Sequence, residues 1–85
     1  MPKSVFTDAY ASAVEILVTL RKRACVSQVE LARRLGRPQQ FISNVERGER
    51  RLDVVEYYAF VRALGADPRE VFDELLSRLP VKVDI

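Results

Sequence analysis

Gly36 and Pro38 constrain this chain more than any other pair of residues. A glycine takes the left-handed conformation that closes a helix. A proline has φ preset for a helix's first turn, so Pro38 restarts one almost at once. They split SQVELARRLGRPQQFISNVERGERR, residues 27–51, into two short helices with a tight turn between them and a basic loop behind. Ser27 and Glu30 have the S-x-x-E spacing of a capping box, so the first of these helices starts at Ser27. Its apolar positions are Val29, Leu31, Ala32 and Leu35.

The following helix runs from about Pro38 to Glu46. Projected at about 100° per residue, Pro38, Phe41, Ile42 and Val45 fall on one side. Gln39, Gln40, Ser43, Asn44 and Arg47 fall on the other. A helix of about two turns, a glycine and a new helix one residue later form a helix-turn-helix signature. The second helix of such a motif can enter the DNA major groove. Gln and Asn can pair with the N6 and N7 edge of adenine, and Ser can contact several bases or a phosphate. A polar face alone is common to most amphipathic helices. Its place in this motif makes Gln39, Gln40, Ser43 and Asn44 the expected base readers.

Charge points the same way. The chain has 85 residues and a net charge of +2. Residues 1–20 carry −1, residues 21–51 carry +6 and residues 52–85 carry −3. The basic charge is concentrated around the motif, as a polyanion partner requires. Gly48 stops the helix, and Arg50 and Arg51 follow where they can grip backbone phosphates and set docking register.

Elsewhere the pattern is helical. From Asp8 to about Ala24, residues Tyr10, Ala13, Val14, Leu17, Leu20 and Ala24 recur at helical spacing, with Thr7 or Ser4 as cap. Ile16 and Val18 widen the apolar arc, which fits either a second subunit or a deep place in a small bundle, and the bundle is preferred. Arg21, Lys22 and Arg23 complement the helix dipole and otherwise read as a solvated helix end. Asp53 and Glu56 open a fourth helix with Val54, Tyr57, Tyr58, Phe60, Val61 and Leu64 on its apolar side, ended by Gly65. The tyrosines, in the acidic third, are expected in core or interface rather than stacked on bases. Asp67, Pro68 and Glu70 open a fifth helix, with Val71, Phe72, Leu75, Leu76 and Leu79 as its stripe. Residues 1–6 are expected to be loose or lightly docked. The tail, residues 80–85, alternates as a short strand would and equally suits a disordered end.

An apolar fraction of 48% suits one small core, so residues 1–85 are expected to form a single domain. Domains this small gain from dimerisation. No apolar run approaches the roughly 20 residues of a membrane span, and the N-terminus lacks a signal-peptide pattern, so a cytoplasmic protein is expected. One cysteine, Cys25, and no histidine leave neither a disulfide nor a zinc site to build. Cys25, between Ala24 and Val26, is expected to be a small buried hydrophobe. No catalytic arrangement is present, and the commonest general base is missing, so no enzyme is expected.

Gln28, Leu31-Ala32, Leu35-Gly36, Gln40, Ile42-Ser43, Val45-Glu46-Arg47-Gly48 and Ala63-Leu64-Gly65 together resemble the Cro/CI-type helix-turn-helix family, the XRE family of bacterial and phage regulators. The match covers about residues 13–76. The resemblance implies an all-α, five-helix, lambda-repressor-like domain that binds double-stranded DNA, mostly as a homodimer on inverted repeats. It implies that Gln28 clamps a phosphate and that Gln39, Gln40, Ser43 and Asn44 face bases. Arg37, Arg47, Arg50 and Arg51 complete the expected phosphate set. Two residues depart from the family pattern. Pro38 stands where a capping Ser or Thr is usual. Phe41 replaces a small polar residue and either packs inward or leans on a thymine methyl.

The expected function is a sequence-specific transcriptional regulator, a repressor that occupies a promoter, with its dimer made by the fifth helix, the tail and the exposed side of the first helix. An antitoxin would need an interaction surface beyond the five helices, for which only the short ends are candidates. A protein-binding adaptor that keeps the fold would not need the amide face or Arg50-Arg51. No cofactor is expected. No small-molecule effector is expected either, since no second domain is present to hold one.

Overall fold

The computed structural model describes residues 7–83 and contains five helices, α1 (Asp8–Arg23), α2 (Gln28–Leu35), α3 (Gln39–Glu46), α4 (Val54–Ala63) and α5 (Pro68–Arg78). The expected starts follow from side-chain caps, which satisfy backbone N–H groups that a helix leaves unpaired. Thr7 Oγ1 accepts from Tyr10 N, and Ser27 Oγ accepts from Glu30 N. Asp53 and Glu56 form the reciprocal box: Glu56 N donates to Asp53 and Asp53 N donates to Glu56.

The box expected at Ser27 is only half made, and Asp67 caps α5 without forming one. Both Glu30 carboxylate oxygens turn to Arg33 and Arg34 instead. Asp67 accepts from Arg69 N rather than from Glu70. Pro38 is also displaced from its expected place. It caps α3 from outside with no side-chain bond, and the helix starts one residue later. Gly36 closes α2 at φ 66°, as glycine should.

α1 leans on α3 and α5, α2 packs on α3 and α4, and α4 packs on α5. The core fills the space between them. Its four most enclosed side chains are Leu31, Ile42, Val45 and Val61, from α2, α3 and α4. Each such side chain contributes roughly 1.5–3 kcal/mol by leaving water. Ile16 is also in this core, which decides for the bundle reading of its place on α1. Two tyrosine hydroxyls tie α1 to the far half of the chain. Tyr57 Oη donates to the Ala13 carbonyl at 2.8 Å, and Leu52 N donates to Tyr10 Oη at 2.9 Å.

Several burial expectations are corrected. Cys25 is exposed, not buried, and has φ 57°. It is the left-handed residue that ends α1: Cys25 N donates to Lys22 O and Val26 N to Arg21 O. That turn delivers Val26, rather than Cys25, into the core. Val29, Val54, Phe72 and Leu76 are each more than half exposed. On α5 only Val71 is buried; Phe72 and Leu76, one turn apart, share an outward strip. Tyr58 is half exposed against Arg62, whose Nε donates to its hydroxyl. Residues 79–83 form no strand. Residues 84–85 of the tail, residues 1–6 and the alternative cap Ser4 lie outside the described residues.

Burial pushes the Tyr57 phenol from 10.0 up to about 12. The fold thus favours its neutral form. That contribution to stability is whole below pH 10 and is lost as pH rises towards 12. Urea unfolding across this window should show a falling midpoint. Tyr57→Phe should lose about 1 kcal/mol at neutral pH with its bond to Ala13, and show a shallower alkaline decline.

Candidate nucleic-acid interface

α3 is fastened at both ends, and the fastening orders its outer face. Ile42 and Val45 hold its inner side in the core. At its C-terminal end Glu46 turns inward and meets Arg21 of α1. Arg21 Nε donates to Glu46 Oε2 at 2.6 Å and Nη2 donates to Oε1 at 3.0 Å. The side chains retain only 12% and 13% of their exposure, so this pair is largely shielded from water. Arg21 Nη1 also donates to the Val26 carbonyl. Arg21 is therefore a tie between helices, and the solvated reading holds only for the exposed Lys22 and Arg23.

Gln28 extends this tie to the other end of α3. Its Nε2 donates to Glu46 Oε1 at 2.8 Å, and its Oε1 accepts from Gln39 Nε2 at 2.7 Å. One continuous set of bonds thus runs from α1 through Glu46 and Gln28 to the first residue of α3. A second set crosses the outer face. Gln40 Nε2 donates to Asn44 Oδ1 at 2.9 Å. Arg47 donates to Asn44 Oδ1, to Ser43 Oγ and to Glu49. Gln28 with Gln39, and Gln40 with Ser43, Asn44 and Arg47, therefore form two linked sets in one bank of polar side chains. Each primary amide has two donor hydrogens and an acceptor oxygen. Gln39 and Gln40 spend one hydrogen each in these bonds and keep capacity for a base edge.

The remaining arginines flank the bank rather than join it. Arg37 and Arg50 lie over the Phe41 ring, their guanidinium carbons 5.3 Å and 5.1 Å from its centroid. Phe41 itself packs inward, half-buried, at 6.1 Å from the Phe60 ring. Of its two readings, inward packing is the observed one. Arg50 also forks onto Glu56 at 2.8 Å and 3.3 Å. The Asp53 backbone N–H, with Arg50 second, holds the Glu56 carboxyl below its ordinary range. Arg51 stands apart, 4.5 Å over the Tyr10 ring of α1. On the outer face of α2, Arg33 and Arg34 lower Glu30 to about 2.

The sequence reading did not assign Arg21, Glu46 or Glu56 a role in this surface. For Glu46 a signal existed. At about 100° per residue it projects about 40° from Ile42, so a carboxylate stands at the edge of the core face and needs a partner. Its partner lies 25 residues away, and no local pattern names it. Among the described residues no cluster of three His, Cys, Asp or Glu could hold a metal, and no helix is long and apolar enough to cross a membrane.

A family model described as a helix-turn-helix domain matches residues 15–75. Among solved structures, an XRE-family like protein from Pseudomonas syringae pv. tomato str. DC3000 is 43% identical at a TM-score of 0.80. The match covers 85% of this chain and 88% of that one. The wild-type restriction-modification controller protein C.Esp1396I is 18% identical at a TM-score of 0.77, covering 84% of this chain and 93% of that one. The same controller as a tetramer with its natural 35 base-pair operator is 18% identical at a TM-score of 0.76, with the same coverage. At this lower identity the likeness concerns the fold. None of the curated proteins matches the sequence.

Glu46→Ala should cost about 3 kcal/mol, because Arg21 is left shielded from water without its partner. Replacing Arg21 by Met and Glu46 by Leu together should cost less than the two single changes combined. Chemical denaturation of Glu46→Ala, of Arg21→Met, of Glu46→Leu and of the double variant measures both. Equal additive losses would show that the two side chains act independently.

Proposed function

This chain belongs to the XRE-type helix-turn-helix family, whose fold is that of DNA-binding regulators, and from that premise we propose that it is a sequence-specific transcriptional regulator that lays α3 in the major groove. The observation that carries the reading is the bank of amides on the outer face of α3, set within the most basic segment of the chain. In this reading Gln39, Gln40, Ser43 and Asn44 read base edges. Gln28, Arg37, Arg47, Arg50 and Arg51 hold phosphates and set the register. Glu46 and Arg21 do not touch DNA; they hold Gln28 and the ends of α3 at a fixed spacing.

The protein acts as a repressor by occupying promoter DNA, as a homodimer on an inverted repeat. Phe72 and Leu76 supply an outward apolar strip on α5, in the acidic third of the chain and off the basic segment. Two half-sites then combine weak single contacts into useful affinity. It works without a cofactor or small-molecule effector, in the cytoplasm, and not as an enzyme. The controller found with its operator as a tetramer supports both DNA binding and self-association.

In vitro selection from random duplex DNA at physiological salt tests the reading. An enriched inverted repeat is expected, with half-site centres about one helical turn apart or a multiple of it. A folded sample that enriches nothing would overturn sequence reading and turn the search to a protein partner. Gln40→Ala should lose about 1–3 kcal/mol of discrimination at one or two base positions of the selected site. An even loss over all sequences would remove Gln40 from the base readers. Arg50→Ala combined with Arg51→Ala should weaken all duplexes alike and lower the salt slope by about 0.9 for each phosphate no longer neutralised. An unchanged slope would exclude both as phosphate-binding residues.

A further inference from the structure

We propose that Phe41 is a positioning residue of the DNA interface, whose ring gathers Arg37 and Arg50 into one two-armed grip for a single backbone phosphate beside α3. This rests on the DNA-binding reading above and adds a residue that the reading does not use.

The two arginines come from different parts of the motif. Arg37 lies in the turn between α2 and α3, and Arg50 lies in the loop before α4. Thirteen positions separate them in sequence, yet both guanidinium carbons stand within 5.3 Å of the same ring centroid. Like charges repel, so something must bring them together. The ring supplies it through its negative face, an attraction of the kind made by cations over aromatic rings. The ring in turn has a fixed place, since Phe41 packs against Phe60 of the core and lines a cleft of about 170 Å³ with Leu35, Ala59 and Glu56.

Two guanidinium groups held at one ring make a site for an anion, and an anion is already there. Glu56 takes the Arg50 fork with both oxygens. Its carboxyl is also lowered by the charge of Arg37, so it lies within the field of both arms. A carboxylate and a phosphate accept the same forked pair of N–H donors. Glu56 has a second attachment, to the backbone N–H of Asp53, and remains anchored in the α4 cap when Arg50 turns to a phosphate. A grip stacked on a half-buried, packed ring arrives ordered, so the phosphate does not have to restrain two long side chains from free rotation.

Equilibrium binding of the full chain to a selected operator duplex and a random duplex tests this in two cycles. Phe41→Leu should weaken both duplexes by about tenfold, because each arginine loses the ring face that holds it. In the Arg37→Ala/Arg50→Ala background the same change should have no further effect. Independently, Arg37→Ala and Arg50→Ala should together weaken binding by less than the product of their single effects, because they share one phosphate. Both arginines are exposed, so this second cycle decides alone if Phe41→Leu does not fold. A Phe41→Leu loss that persists without the arginines, or that is confined to the selected operator, overturns the positioning role. Multiplicative arginine effects overturn the shared grip. A wild-type chain that binds no duplex overturns the DNA-binding reading itself, and this inference with it.

Discussion

The shielded pair of Arg21 and Glu46 is the constraint on which the outer surface depends. A carboxylate removed from water needs compensating donors. Glu46 receives three, two from Arg21 and one from Gln28. Those bonds fix the end of α3 against α1 and the start of α2. Through the Gln28 amide they also reach Gln39 at the other end of α3. Apolar contacts of Ile42 and Val45 keep α3 in place but have little direction. The charged bonds supply the direction, so the rotation of α3 about its axis, and with it the aim of Gln40 and Asn44, is set from beneath.

Around this frame most arginines of the basic surface have something to lie on. Arg33 and Arg34 lie on Glu30, Arg47 on Glu49, Arg50 on Glu56 and Phe41, and Arg51 on Tyr10. Exposed ion pairs of this kind add little to stability. Their effect is on conformation and on net field. A side chain already extended along a neighbour has less freedom left to lose, and a nearby carboxylate lowers the local positive field. Much of the positive charge between residues 21 and 51 is thereby held in place rather than spread through solvent.

Much of the architecture was legible in local chemistry. Ser27, Asp53 and Asp67 marked helix starts, and Gly36, Gly48 and Gly65 marked ends, because caps act within a few residues of the backbone groups they satisfy. The inward positions of α3, Ile42 and Val45, followed from helical periodicity. Periodicity was less reliable for Val29, Val54, Phe72 and Leu76, all apolar and all outward. A short helix with apolar residues on several sides does not state which side its neighbours will cover. Cys25 failed for a related reason. One left-handed residue at the end of α1 turned Cys25 outward and Val26 into the core, and no glycine announced that turn.

Five helices, their order, the glycine-closed turn between α2 and α3 and the residues on the polar side of α3 are all written in the local sequence. These depend on backbone geometry and on interactions within about one helical turn. Tertiary structure alone decided what those residues lean on. Arg21 reaches Glu46 across 25 positions, Tyr57 reaches Ala13 across 44, and Arg37 and Arg50 each reach the ring of Phe41. Each of these pairings requires that helices distant in the chain first be brought together by burial of a shared core. A directional polar bond between them can form only afterwards, at a distance that packing sets and that local sequence does not encode.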